Sequence, residues 1–134
     1  MILVDTSVLI DFFKGVNNDP SLCLQKIIKQ QIPFGITSAI YQELLQGAKN
    51  KKEYKLLDEY LSCQRFFHPV DPVASYGKAA MIYFLCRKKG VTVRSTIDCL
   101  IAQISIEQDL MLLHNDKDFV NISSIINLKL YKAD

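Results

Sequence analysis

Glycine and proline are scarce in this chain, five and four among 134 residues, and no repeat, low-complexity tract or linker is visible. That scarcity argues against disorder. No apolar run approaches the roughly 20 residues needed to span a bilayer, so no membrane role is expected. Met1 leads directly into a strand-like segment instead of a charged leader with a cleavage site, so a cytoplasmic protein is expected. The four cysteines, Cys23, Cys63, Cys86 and Cys99, form no C-x-x-C pair and no Cys/His cluster of zinc-ligand spacing. Buried, reduced thiols are the expectation for all of them. Charge of one sign is lacking too: 16 basic against 14 acidic residues leave +2, too little to argue for a polyanionic partner by itself.

What is present is the composition of one globular domain, expected over residues 1–134. Apolar residues make up 49% and charged residues 22%, and a chain of this length buries a sizeable core. Met1-Ile2-Leu3-Val4 reads as a short buried strand, and Asp5-Thr6-Ser7 opens a helix-like stretch through Phe13. Leu24, Ile27 and Ile28 recur at helical spacing within residues 20–31, and residues 33–37 read as a second strand. Residues 38–47 form a helix ending on Gly47, and residues 51–63 form another with Tyr54, Leu57 and Leu61 on one face. Arg65-Phe66-Phe67-His68 is a third strand stopped by Pro69.

A long helix is predicted from Pro72 to the basic end at Arg87-Lys88-Lys89-Gly90. Its stripe of Val73, Tyr76, Gly77, Ala80, Met81 and Phe84 suits either the core or a dimer surface. Residues 95–108 are the next helix, with Ile97, Leu100, Ile101 and Ile104 inward. A fourth strand at residues 110–113 and a fifth at residues 128–131 complete the pattern. Strands separated by helices pair in parallel through right-handed crossovers, and the early strands are nearly continuous apolar runs. The fold class is therefore α/β: a three-layer α/β/α sandwich whose mainly parallel sheet has about five strands.

Four acids fall where strands end or helices begin in this alternation: Asp5, Glu43, Asp98 and Asp116. Asp5 faces the crevice where α/β proteins bind ligands, or it caps the following helix; both readings are open. Asp98 can complete a capping box with Ser95, and Asp116 can cap a short terminal helix. Glu43 lies past any cap. Chance accounts for each acid alone and poorly for all of them at one sheet edge, with no comparable supply of cations between them. Carboxylates about 4 Å apart repel by roughly 1 kcal/mol in water and about 4 kcal/mol at an intermediate dielectric, so such a cluster needs protons or a bound cation. An all-oxygen donor set favours Mg²⁺, with Mn²⁺ able to substitute, over zinc.

The stretches Asp5-Thr6-Ser7-Val8-Leu9-Ile10, Thr96-Ile97-Asp98-Cys99-Leu100-Ile101-Ala102 and Leu112-Leu113-His114-Asn115-Asp116-Lys117-Asp118-Phe119, with Glu43 between them, resemble the PIN-domain nucleases. Over the chain's whole length the likeness is to VapC-type toxin ribonucleases. The resemblance implies a sheet of order 3-2-1-4-5 and an acidic quartet of Asp5, Glu43, Asp98 and Asp116. It implies supporting roles for Thr6 and Ser7 beside Asp5 and for Thr96 beside Asp98, with Asp118 and Asn115 as further members. It also implies Mg²⁺- or Mn²⁺-dependent endonucleolytic cleavage of RNA by an activated water, a homodimer, and inhibition by a small cognate VapB-like antitoxin. Arg94, one turn before Asp98, and Lys49 and Lys52 from a basic cluster are candidate RNA contacts.

Three other classes are weighed against that expectation. An aspartyl-phosphate phosphatase would want a second acid two residues after Asp5, where Ser7 stands, and a receiver domain would want a better-placed lysine than Lys117. A non-catalytic binding domain would not need the quartet intact. A housekeeping PIN nuclease that processes RNA without an antitoxin would share all of the chemistry, and neighbouring genes would tell it apart.

Overall fold

The computed structural model describes residues 1–132. The sheet consists of β1 (Ile2–Val4), β2 (Phe34–Thr37), β3 (Arg65–Phe67) and β4 (Met111–Leu113), all parallel, in the order β3-β2-β1-β4. The helices are α1 (Thr6–Phe13), α2 (Asp19–Lys29), α3 (Ser38–Gln46), α4 (Lys51–Leu61), α5 (Ala74–Lys88), α6 (Thr96–Glu107) and α7 (Lys117–Ser123). Successive strand residues face opposite sides of a sheet, and Ile2, Leu3 and Val4 are all buried, so both faces of β1 are covered. Helices α1 to α4 pack among themselves, as do α5 to α7, which makes the two outer layers of the sandwich.

Short polar side chains start most helices. Asp5, Asn18, Thr37, Asn50 and Asp116 accept hydrogen bonds from the first-turn amides of α1, α2, α3, α4 and α7, satisfying donors that the helix cannot pair itself. Helix α5 starts two residues beyond Pro72, with Asp71 accepting from the Val73 and Ala74 amides. Gly35 is required where β2 meets β3, because a Cβ there would lie 2.6 Å from the Arg65 carbonyl oxygen.

The expected fifth strand is a correction. Its segment reaches β4 only through an isolated parallel bridge, Leu112 to Leu130, with the Leu112 amide donating to Lys129 O and the Tyr131 amide to Leu112 O. With β4 three residues long and a single bridge beside it, no ladder forms. The α5 stripe is a second correction to the core reading. Val73, Tyr76, Met81 and Phe84 are exposed, and the helix buries Ser75, Ala79, Ile82 and Cys86, a stripe of smaller side chains, against its neighbours. Ile97 and Ile28 likewise face outward, while Ile101, Ile104, Leu24 and Ile27 are buried. Cys63 is exposed, contrary to expectation, since it lies just past the end of α4; Cys23, Cys86 and Cys99 are buried. Among the described residues, no helix is long and apolar enough to cross a membrane.

Candidate active site

The strand order sets where the chemistry gathers. From β1 the chain builds outward through β2 and β3, then returns to pair β4 with the other side of β1, and ligands bind at the carboxyl ends of strands where such a reversal occurs. Asp5 directly follows β1, and its amide donates to Leu113 O at the end of β4 (3.0 Å). Asp116 lies three residues beyond Leu113 as the N-cap of α7. Asp98 sits in the first turn of α6.

Asp98, Asp116 and Asp118 each offer an oxygen, and these atoms all lie within 4.8 Å of one another. Asp98 and Asp118 are buried, and among the described residues Asp98 Oδ2 has no hydrogen-bond partner. An unpaired buried carboxylate oxygen is costly. Burial, followed by the charge of Asp5, the adjoining Asp118 carboxylate and the charge of Asp116, pushes Asp98 up to about 8. A proton taken up there can be donated to Asp118. A divalent cation relieves the same strain more completely, and three hard oxygens fit Mg²⁺ or Mn²⁺ chemistry. The donor set and the orphaned oxygen therefore fit a metal centre.

Asp118 does more than contribute an oxygen. Its Oδ2 accepts from the Arg94 and Ser95 amides at 3.0 and 3.1 Å, so it caps α6, whose own N-cap Ser95 makes no side-chain cap bond. Burial opposes its ionisation, yet the bond that a protonated Asp98 would donate and the bonds from Arg94 leave its net shift downward. Its membership, a secondary expectation from sequence, is central in the structure. The capping-box reading of Asp98 is replaced by this cap from a distant segment.

Asp5 lies beside this group, close enough to raise Asp98. Its Oδ2 accepts from the Ser7 amide (3.0 Å) and the Ser7 hydroxyl (2.6 Å), so it is at once a helix cap and a crevice acid. Burial first, and Glu43 after it, raise Asp5 to about 6 against the pull of the Ser7 bonds. Ser7 Oγ in turn accepts from the Asn115 amide (2.9 Å). The Asn115 side chain donates to Asp11 Oδ2 (3.2 Å), which also receives Asn18 (2.8 Å). Asp11 was not singled out from sequence; its spacing of four from Ser7, which puts the two on one face of α1, was the available sign. Glu43 reaches the crevice from α3 at half-burial, its Oε1 accepting from the Thr6 hydroxyl (3.1 Å).

Two sequence expectations change. Thr96 is exposed at the first position of α6 and, among the described residues, no hydrogen bond joins it to Asp98; the helix start turns it outward. The expected shortage of cations is also corrected, since the Arg94 guanidinium pairs with Asp116 Oδ1 (3.0 Å) and Asp118 Oδ1 (3.3 Å). Lys49 and Lys52 stand exposed at the α3–α4 junction and at the start of α4. His114 is not among the acids; burial lowers its pKa and its Nδ1 accepts from the Asp116 amide (3.1 Å), which shapes the turn that delivers Asp116.

The family model for the PIN domain matches residues 2–124. The chain belongs to the PIN-domain family. Ribonuclease VapC11 of Mycobacterium tuberculosis is 30% identical over 130 residues, covering 96% of each chain. Among solved structures, VapBC2 from Rickettsia felis, bound to a DNA fragment from its promoter, superposes with a TM-score of 0.72 at 22% identity over the full length of both chains. FitAcB from Neisseria gonorrhoeae does so with a TM-score of 0.70 at 20% identity, over 98% of this chain and 97% of that one. At such identities the structures establish the shared fold.

Proposed function

We propose that this single PIN domain is a divalent-metal-dependent endoribonuclease, the toxin of a type II toxin–antitoxin pair. The observation that carries the reading is the buried, partnerless Asp98 Oδ2 within a group of acid oxygens no more than 4.8 Å apart. A ribonuclease relative matched along 96% of both chains supports the substrate class. Asp98, Asp116 and Asp118 would hold Mg²⁺, or Mn²⁺ in its place, with Asp5 and Glu43 completing the acidic wall. The ion would supply Lewis-acid activation of water and neutralise charge on the scissile phosphodiester.

The chain's own groups do the rest. Ser7 fixes the Asp5 carboxylate in one orientation, and Asp5, raised to about 6, can hold or release a proton near neutral pH. Thr6 aims Glu43 at the same crevice. Exposed Lys49, Lys52 and Arg94 would attract the RNA backbone. The proposed partners are RNA, a VapB-like antitoxin and a second copy of the chain, and the proposed location is the cytoplasm, where such RNA is found.

The test is cleavage of a mixed cellular RNA pool by purified protein in Mg²⁺, Mn²⁺ or EDTA, beside Asp5→Ala and Asp98→Ala. Metal-dependent cutting that both variants lose is the expected result. Equal cutting by the variants, or none by wild type after any copurifying inhibitor is stripped away, would leave a non-catalytic binding domain as the better account. Co-expression with the adjacent small reading frame should suppress cutting by a toxin and leave a processing nuclease active.

A further inference from the structure

We infer that Arg94 is a built-in stand-in cation: its guanidinium satisfies Asp116 and Asp118 in the metal-free protein and gives way at Asp116 when a divalent ion binds. This rests on the metal-centre reading above and assigns Arg94 a role apart from RNA contact. Arg94 Nη2 and Nε bond Asp116 Oδ1 and Asp118 Oδ1 at 3.0 and 3.3 Å. Those two carboxylates are also members of the close oxygen group that includes Asp98. A guanidinium spanning a pair of acids satisfies them much as a cation does.

The fork is made to be released. The Arg94 side chain is 70% exposed, so swinging outward costs little desolvation, and an exposed ion pair is individually weak. Asp118, by contrast, keeps its bonds from the Arg94 and Ser95 amides whatever the side chain does. Backbone and side chain of one residue therefore separate two tasks: the amide anchors Asp118 permanently, while the guanidinium holds Asp116 only until metal arrives. Asp116, at 27% side-chain exposure, is the acid through which an ion can enter. A site whose competent state is only partly populated binds its ligand more weakly by that fraction, so Arg94 sets the metal concentration at which the centre fills.

The test is titration of wild type, Arg94→Gln, Arg94→Lys and Lys117→Gln with Mn²⁺ alone, followed by calorimetry and by the rise in melting temperature. Arg94→Gln should bind Mn²⁺ about twofold to fivefold tighter, melt lower without metal, and gain more on adding it. Arg94→Lys, which keeps the charge but cannot span both acids, should fall between Arg94→Gln and wild type. Lys117→Gln removes an exposed charge next to Asp116 and should change affinity by less than about twofold. Equal or weaker binding by Arg94→Gln, or an equal gain in Lys117→Gln, overturns the stand-in role while leaving the metal centre intact. If wild type binds no Mn²⁺, both fall together.

Discussion

On the β1 side of the crevice, Asp5 and Glu43 are held by neutral hydroxyls, those of Ser7 and Thr6. On the β4 side, Asp116 and Asp118 are held by a guanidinium and by backbone amides. Both sides gather negative charge, but among the described residues only the second carries its own counter-charge. Asp5 is accordingly raised toward neutrality, whereas Asp118 is driven the other way, and Asp98 between them is raised furthest, to about 8. The difference teaches that burial and partner chemistry, more than residue type, decide which acid waits for a cation and which is already satisfied.

The severest way to break this comparison is Asp98→Asn, which keeps shape and removes the charge that both sides repel. RNA cleavage should fall by roughly a thousandfold or more, while the metal-free protein should melt higher than wild type. A variant that loses activity and stability together would mean that Asp98 serves the fold and not the metal.

Ser7→Ala strips the β1 side of the hydroxyl that orients Asp5 and anchors the Asn115 amide. A loss of about 10- to 100-fold in cleavage or in metal affinity is expected, read from single-turnover rates and Mn²⁺ titration. If only stability changes, the hydroxyl is a turn-builder.

Stability against pH sharpens the comparison without mutation. Asp5 and Asp98 have folded-state pKa values above the usual 3.8, so the native protein binds more protons than the unfolded chain between those limits. Stability then falls as pH rises, from about 4 to 6 through Asp5 and on to about 8 through Asp98. The lowered Asp118 acts oppositely, its contribution being lost only below the usual carboxylate range. Melting temperatures in EDTA should drop by several degrees between pH 5 and pH 8, and saturating Mn²⁺ should remove most of that slope. A flat profile in EDTA would argue against buried, uncompensated acids.

The smallest effect expected is that of Asp11→Ala, one step further from the acids. Losing the acceptor for Asn18 and Asn115 should cost about 1 kcal/mol in denaturant unfolding and no more than a few-fold in cleavage.

Much of this was legible along the chain. Apolar runs at residues 2–4, 34–37 and 111–113 mark the strands, and the acid after each of β1 and β4 marks the crevice, because strand ends in an alternating chain converge whatever the loops do. The fifth strand was not, since Leu128 and Leu130 have the pattern of a strand but find only a three-residue partner. Nor was the direction of the α5 stripe, because large apolar residues at helical spacing look alike whether they face a core or solvent.

Sequence by itself determined the alternation of elements and the parallel sheet, because these follow from hydrophobic period and connection length. Tertiary structure alone decided that Asp118 caps α6 from 23 residues away, that Arg94 bridges two of the acids, and that Asp98 is left with a bare oxygen. Those outcomes depend on which side chains meet across loops, and a hydrogen bond or charge pair exists only where folding brings donor and acceptor within about 3 Å.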